Sequence, residues 1–248
     1  MSTPAPSTAR ATGSRTEATS VPPRVSARDL AVEFGSGHRH LRIEMPVPHL
    51  DVTPGMLVVL AGRSGSGKTT LLKMLAGLQP PTSGTVHWNG ETVDATHAEA
   101  TAARRRGFLS YMDQAASLIP TFTVLENIML AAVPVGKPAD YADRAQELLE
   151  ILGLADRTDQ RVPSLSGGER ARISLARSLL LETPVLVVDE PTASLDRATA
   201  DRVIGLLHAH ADNGGSVIAA SHDPNVLAAA TDLHPMRESA PTPEEATP

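Results

Sequence analysis

The sequence predicts an α/β fold wound around a mostly parallel β-sheet. Three observations carry that prediction. Short, wholly apolar runs at residues 57–61, 185–188 and 217–220 are rich in Val, Leu, Ile and Ala, which suits strands buried on both faces. Stretches with helical spacing alternate with them. The first run also leads through Gly62-Arg63-Ser64-Gly65-Ser66-Gly67-Lys68-Thr69-Thr70 into an unbroken helical stretch at 71–76. Strand, glycine loop and helix in that order confirm a phosphate-binding loop.

The elements follow in order. Residues 30–34 and 41–45 are expected as early strands, 56–60 as a buried strand, and 85–88 as another strand before the Asn89-Gly90 turn. Residues 109–112 form a short apolar strand. Thr123-Val124-Leu125-Glu126 is a capping box that opens a helix. Residues 140–152 carry helical spacing at Leu148, Leu149 and Leu152 and stop at Gly153, a helix C-terminus. Ser166-Gly167-Gly168-Glu169 is a second capping box, with a helix to about residue 181. A last helix is expected at 203–210, between the strands at 185–188 and 217–220.

Residues 1–24 are rich in Ala, Thr, Ser and Pro, and residues 238–248 in Pro, Glu, Ala and Thr. Both are expected to be disordered tails, which leaves residues 25–237 as the folded domain. The N-terminal stretch lacks the apolar centre of a secretory signal. With 248 residues and no cysteine, the chain has room for one large domain and no disulfide or thiolate chemistry. The net charge of −6 argues against a nucleic-acid partner. The apolar runs are far shorter than the roughly 20 residues needed to span a bilayer. His38, His40, His97, His208 and His210 lack metal-ligand spacing and are expected to be exposed. Arg104-Arg105-Arg106 suits a solvated helix face better than a phosphate site.

The residue types around the loop point to nucleoside triphosphate chemistry. The loop's backbone N–H groups and the following helix N-terminus would cradle phosphates. Lys68 would reach the β- and γ-phosphates, and the Thr69 hydroxyl would reach Mg²⁺. Asp189 and Glu190 end a buried strand, where ligands bind in α/β sheets. Asp189 is placed to hold Mg²⁺ and Glu190 to act as general base. Leu165-Ser166-Gly167-Gly168-Glu169 offers a second helix N-terminus suited to an anion. One nucleotide does not need two such ends from one chain, so this one is expected to serve a nucleotide on another subunit.

In sequence order, the phosphate loop, Gln114, residues 165–169, Asp189-Glu190, Ser194-Leu195-Asp196 and His222 resemble the ATP-binding subunits of ABC transporters over residues 25–232. The resemblance implies a P-loop NTPase core with a mostly parallel sheet, an antiparallel β subdomain and a helical signature subdomain. It implies ATP and Mg²⁺ as ligands. By resemblance, Phe34 stacks on adenine, Gln114 senses Mg²⁺, the γ-phosphate and the attacking water, and Ser166, Gly167 and Gly168 close on the opposite protomer's ATP. Asp196 communicates across the dimer and His222 contacts the γ-phosphate. The implied partners are a transmembrane permease and a second ATPase subunit, a homodimer on the cytoplasmic face of the membrane.

Arg104-Arg105-Arg106, Tyr111, the stretch at 118–127 and residues 80–84 look like the ATPases of macrolide exporters, lipoprotein-release systems and the cell-division complex. The expected role is therefore to power an export-type transporter. The competing roles are a mechanotransmitter acting on a cell-envelope enzyme and a soluble ATPase of translation or DNA repair. Asp113 departs from that group, which has a bulky apolar residue before the glutamine. The closing strand pair of these subunits is expected to be shortened or lost beyond residue 232.

Overall fold

The computed structural model describes residue 22, residues 24–35 and residues 41–236. Of the expected N-terminal tail only residues 22 and 24 are described, and Arg24 is held in place there, its N–H donating to the Val52 carbonyl at 2.8 Å and its guanidinium to the Pro184 carbonyl at 2.6 Å; the rest of both tails and the residues around His38 and His40 lie outside the described residues. In chain order the elements are β1 (Val25–Phe34), β2 (Leu41–Glu44), β3 (His49–Val52), β4 (Leu57–Ala61), α1 (Lys68–Leu75), β5 (Ser83–Trp88), β6 (Glu91–Thr92), α2 (Ala98–Arg105), β7 (Leu109–Met112), α3 (Val124–Met129), α4 (Ala142–Ile151), α5 (Gly167–Leu179), β8 (Val185–Asp189), α6 (Arg197–Asp212), β9 (Ser216–Ser221), α7 (Pro224–Ala229) and β10 (Asp232–Pro235). No helix among the described residues is long and apolar enough to cross a membrane.

Two sheets form. The central one is parallel throughout, in the order β10-β4-β9-β8-β7. The other is antiparallel: β1 pairs with β2 along its second half, with β3 along its first half, and with β5 on its other edge. Why the central strands are apolar at every position is visible in how they pack. Leu57, Val59, Leu186, Val188, Val217 and Ala219 join a core built with α3 to α7. Their alternating neighbours Val58, Leu60, Val185, Val187, Ile218 and Ala220 join a second core with α1 and the antiparallel sheet. The period of two puts successive side chains on opposite faces, and both faces are covered. Each fully buried Val, Leu or Ile contributes about 1.5–3 kcal/mol.

Several expectations need correction. β1 starts at Val25 rather than at residue 30, because a bulge at Arg28–Ala31, with Asp29 at φ 47°, interrupts the alternation. β3 alternates exposed and buried residues over only four positions, too few to stand out from the flanking prolines. α2 buries only Thr101 and so lacks an apolar stripe. α7 is six residues long, with Pro224 in its first turn. The helix opened by Thr123 has its capping box but ends at Met129, passing into 3₁₀ turns that contain Pro134. α6 runs well beyond the expected 203–210. Beyond residue 232 the chain forms β10, hydrogen-bonded parallel to β4, so one closing strand is present.

The β1 bulge is matched by Gly84, whose φ is 82°. A Cβ there would overlap the carbonyl oxygens of Arg28 and Asp29. Gly84→Ala is therefore expected to destabilise the fold by about 1–3 kcal/mol, from left-handed strain and a backbone clash. A thermal melt unchanged from the wild type would show that the bulge yields freely.

Candidate active site

Four neighbouring parallel strands end at one edge of the central sheet, and each delivers part of the site as the chain leaves it. β4 runs into the phosphate loop, β7 into Asp113-Gln114, β8 ends in Asp189 before Glu190, and β9 ends in Ser221 before His222. This is the carboxyl edge at which α/β sheets bind ligands. Ser64, Gly65, Ser66, Gly67, Lys68, Thr69 and Thr70 line a cleft of about 220 Å³ together with Ile43, Gln114, Asp189, Glu190 and His222.

The loop takes its shape from its glycines. Gly65 and Gly67 hold φ of 82° and 91°, and a Cβ on Gly67 would strike the Ile43 side chain. Gly67 sits at the N-cap of α1 with no side-chain cap, so the first N–H groups of that helix are left for an anion. A Cβ on Gly62 would crowd Ser66. Lys68 curls back over the loop. Its Nζ donates to the carbonyls of Gly62 at 2.5 Å and Arg63 at 3.1 Å, and lies 3.2 Å from Glu190 Oε1.

Glu190 is buried and holds φ 50°, a backbone conformation that non-glycine residues seldom adopt. Strain of this kind clusters at functional sites. Both of its carboxylate oxygens lie 3.0 Å from His222 Nδ1. The His222 loop is braced in turn: Ser221 Oγ donates to Glu190 Oε2 at 3.4 Å, and Thr192 Oγ1 donates to Asp223 Oδ2 at 2.7 Å. The sequence singled out neither Thr192 nor Asp223 for this bracing, nor Ile43 for the fit against Gly67. Their residue types carry no motif, and only the fold brings them to the site.

Asp189 is fully buried. Thr69 Oγ1 donates to its Oδ2 at 2.6 Å, while its Oδ1 has no hydrogen-bond partner. Burial pushes its carboxyl above the usual value and the Glu190 charge adds to that, against the opposing bond from Thr69. A buried carboxylate with an open oxygen beside a threonine hydroxyl fits a hard divalent cation.

The sign of the Asp189 shift gives a test. A carboxyl whose pKa is raised by folding binds its proton more tightly in the native state, so its ionised form costs stability at neutral pH. Asp189→Asn is therefore expected to raise the melting temperature of the nucleotide-free protein while removing hydrolysis. A lower melting temperature would mean that the ionised carboxylate stabilises the fold.

The remaining expected residues are placed apart. Phe34 is 41% exposed at the end of β1 and does not line the cleft. Ser166 is the N-cap of α5 in a complete capping box with Glu169. Ser166, Gly167 and Gly168 do not line the cleft either. Asp196 is the N-cap of α6: its carboxylate accepts from the Thr199 backbone N–H at 3.0 Å and from the Thr199 hydroxyl at 2.8 Å, and the backbone bond leads in holding its pKa below the usual value. Asp113 closes its own loop, accepting from the Ser117 N–H at 3.0 Å and from the Ser117 hydroxyl. Arg177 of α5 donates to the Ser117 carbonyl at 2.8 Å, so the loop that carries Gln114 is tied to the helix that Ser166 caps.

A phosphate loop at the head of a parallel sheet, a paired Asp-Glu, an antiparallel β layer and a second glycine-led helix N-terminus define an ATP-binding cassette. Residues 47–193 match the family model described as ABC transporter, and the chain belongs to that family. It is 39% identical over 209 residues to the macrolide export ATP-binding/permease protein MacB 1/2 of Paracoccus denitrificans, covering 84% of this chain and 31% of that protein. The MacB of Shigella flexneri is 36% identical over 217 residues, covering 87% of this chain and 33% of that protein. The chain thus spans about a third of the length of these curated relatives. Among solved structures it is similar to a dimeric ATP-binding cassette in a post-hydrolysis state bound to ADP and Pi, with a TM-score of 0.79, 25% identity, and coverage of 86% of this chain and 94% of that one.

Proposed function

We propose that the chain binds and hydrolyses ATP to drive an export-type membrane transporter, as one of two subunits that close head to tail over two nucleotides. The observation that carries this reading is the convergence of the phosphate loop, Gln114, Asp189, Glu190 and His222 on one cleft. The likeness to MacB, a macrolide export ATP-binding/permease protein, supports a permease partner, on the same chain or another.

In this reading Lys68 exchanges its contact with Glu190 for the β- and γ-phosphate oxygens, and the N–H groups of residues 64–70 hold the remaining phosphate oxygens. Glu190, released from Lys68, takes the proton of the attacking water. The water oxygen bonds to the γ-phosphorus, and the bond to the β–γ bridging oxygen breaks. His222 keeps Glu190 aimed and reaches the γ-phosphate. Thr69, Asp189 and Gln114 are the residues that would hold Mg²⁺, which when bound neutralises charge on the phosphate oxygens. Phe34 offers an exposed ring face for adenine. Ser166, Gly167 and Gly168 complete the partner's site, and Asp196 sits near them through Ser194, whose carbonyl a Cβ on Gly168 would crowd.

The test is reconstitution. The chain reconstituted with a multi-spanning permease in liposomes is expected to hydrolyse ATP several-fold faster than the chain alone, and to move cargo only with ATP and Mg²⁺. A chain that hydrolyses ATP yet never associates with a membrane protein would overturn the transporter role and leave the ATPase intact.

A further inference from the structure

In the arginine run at 104–106, expected as a solvated face, Arg104 and Arg106 are exposed and Arg105 is half-buried. Among the described residues Arg104 alone of the three has an acidic partner: it pairs with Glu91 at 3.2 Å and stands 5.7 Å over the Trp88 ring. Arg105 and Arg106 instead line a cleft of about 340 Å³ with Arg177, which comes from α5. The cleft opens beside β7, the edge strand of the central sheet, and shares no lining residue with the nucleotide cleft.

Among the described residues no carboxylate lines this cleft, and the hydroxyls of Ser178 and Thr183 on its wall are engaged with the carbonyls of Leu175 and Val185. Arg105 gives its hydrogen bonds to the backbone carbonyls of Ala76 and Gly77 at 3.3 and 3.4 Å, and Arg177 gives one to the Ser117 carbonyl. Asp113 adds some opposing charge near Arg177, but its oxygens are engaged with Ser117. Burial lowers the pKa of both Arg105 and Arg177. Arg105 and Arg177 are half-buried and Arg106 is exposed, and a partly desolvated cation without an acid beside it is stabilised by a bound anion. A guanidinium fork matches phosphate oxygens two at a time, and three cations with no acid favour a multiply charged anion over a single carboxylate.

We propose that the cleft formed by Arg105, Arg106 and Arg177 is a second phosphate-binding site, separate from the nucleotide, for a free phosphate or a phospholipid headgroup. Because phosphate also fits the phosphate loop, the titration uses Lys68→Ala protein, with inorganic phosphate followed by calorimetry. Lys68→Ala is expected to retain one phosphate site, weakened at least tenfold by adding Arg106→Gln and Arg177→Gln. Arg106→Gln by itself serves as the variant that cannot unfold the chain, since Arg106 is exposed and its side chain makes no hydrogen bond among the described residues; a several-fold loss is expected from it. In the second arm, the same proteins are sedimented with phosphatidylglycerol or phosphatidylcholine vesicles. Binding to the anionic vesicles alone, lost in the variants, identifies a lipid headgroup. Calorimetric binding without vesicle binding identifies free phosphate. Phosphate and vesicle responses equal in the parent and the variants overturn the site, and would leave these arginines to acidic side chains of a partner protein.

Discussion

Glu190→Gln is expected to cut ATP turnover by about 10²–10⁴-fold, the contribution of a positioned general base, while leaving ATP bound. The amide has the shape of the carboxylate but cannot accept the proton of the attacking water. It can still receive hydrogen bonds from Ser221 and His222, so the φ of 50° at this position stays supported. Without nucleotide the variant should melt lower, because Lys68 is buried and loses the carboxylate 3.2 Å away, and a buried charge without its partner is costly. ATP restores the counter-charge, so the deficit should vanish when ATP is added. Removing a negative charge beside the γ-phosphate should also hold the closed dimer together, seen as a shift in elution volume with ATP and Mg²⁺. Single-turnover hydrolysis near the wild-type rate would remove Glu190 from the role of base.

What could be read from the sequence was whatever local chemistry dictates. The phosphate loop is contiguous, its conformation follows from its glycines, and its flanking strand and helix are strongly patterned. The strands at 185–188 and 217–220 were legible because burial on both faces leaves only apolar residues. The capping boxes at Thr123 and Ser166 were legible because both halves of the motif lie three residues apart. What could not be read depends on tertiary contacts. β3 and α7 are too short to show a period, α2 has no apolar stripe, and β10 exists because it finds the edge of β4. The site was named residue by residue through motifs, yet its bracing by Thr192, Asp223 and Ile43 is long-range in sequence. Arg105, Arg106 and Arg177 show the same limit: the cleft exists only because α5 packs against β7, the strand that follows α2. His210 was expected to be exposed, but it is partly buried against Gly215, and that burial lowers its pKa.

Ser166→Arg is expected to abolish hydrolysis while sparing ATP binding by the isolated monomer. Ser166 is exposed at the N-terminus of α5 and does not line the cleft that contains Lys68. A bulky cation there would block a nucleotide approaching from a second subunit and would leave the chain's own phosphate loop untouched. The substitution also removes a cap in which Ser166 Oγ accepts from the Glu169 N–H at 3.2 Å, worth about 0.5–2 kcal/mol. Ser166→Ala separates the two effects, since it loses the cap without adding bulk. It should melt lower by a similar amount yet lose far less hydrolysis than Ser166→Arg. Mixing Ser166→Arg with Lys68→Ala subunits tests the arrangement further. In such a heterodimer one composite site carries both defects and the other carries neither, so part of the activity should return where one intact site suffices. The decisive measurement is ATP affinity of Ser166→Arg alone. A loss equal to that of Lys68→Ala would mean that both motifs grip one nucleotide within the same chain, and the head-to-tail arrangement would fall.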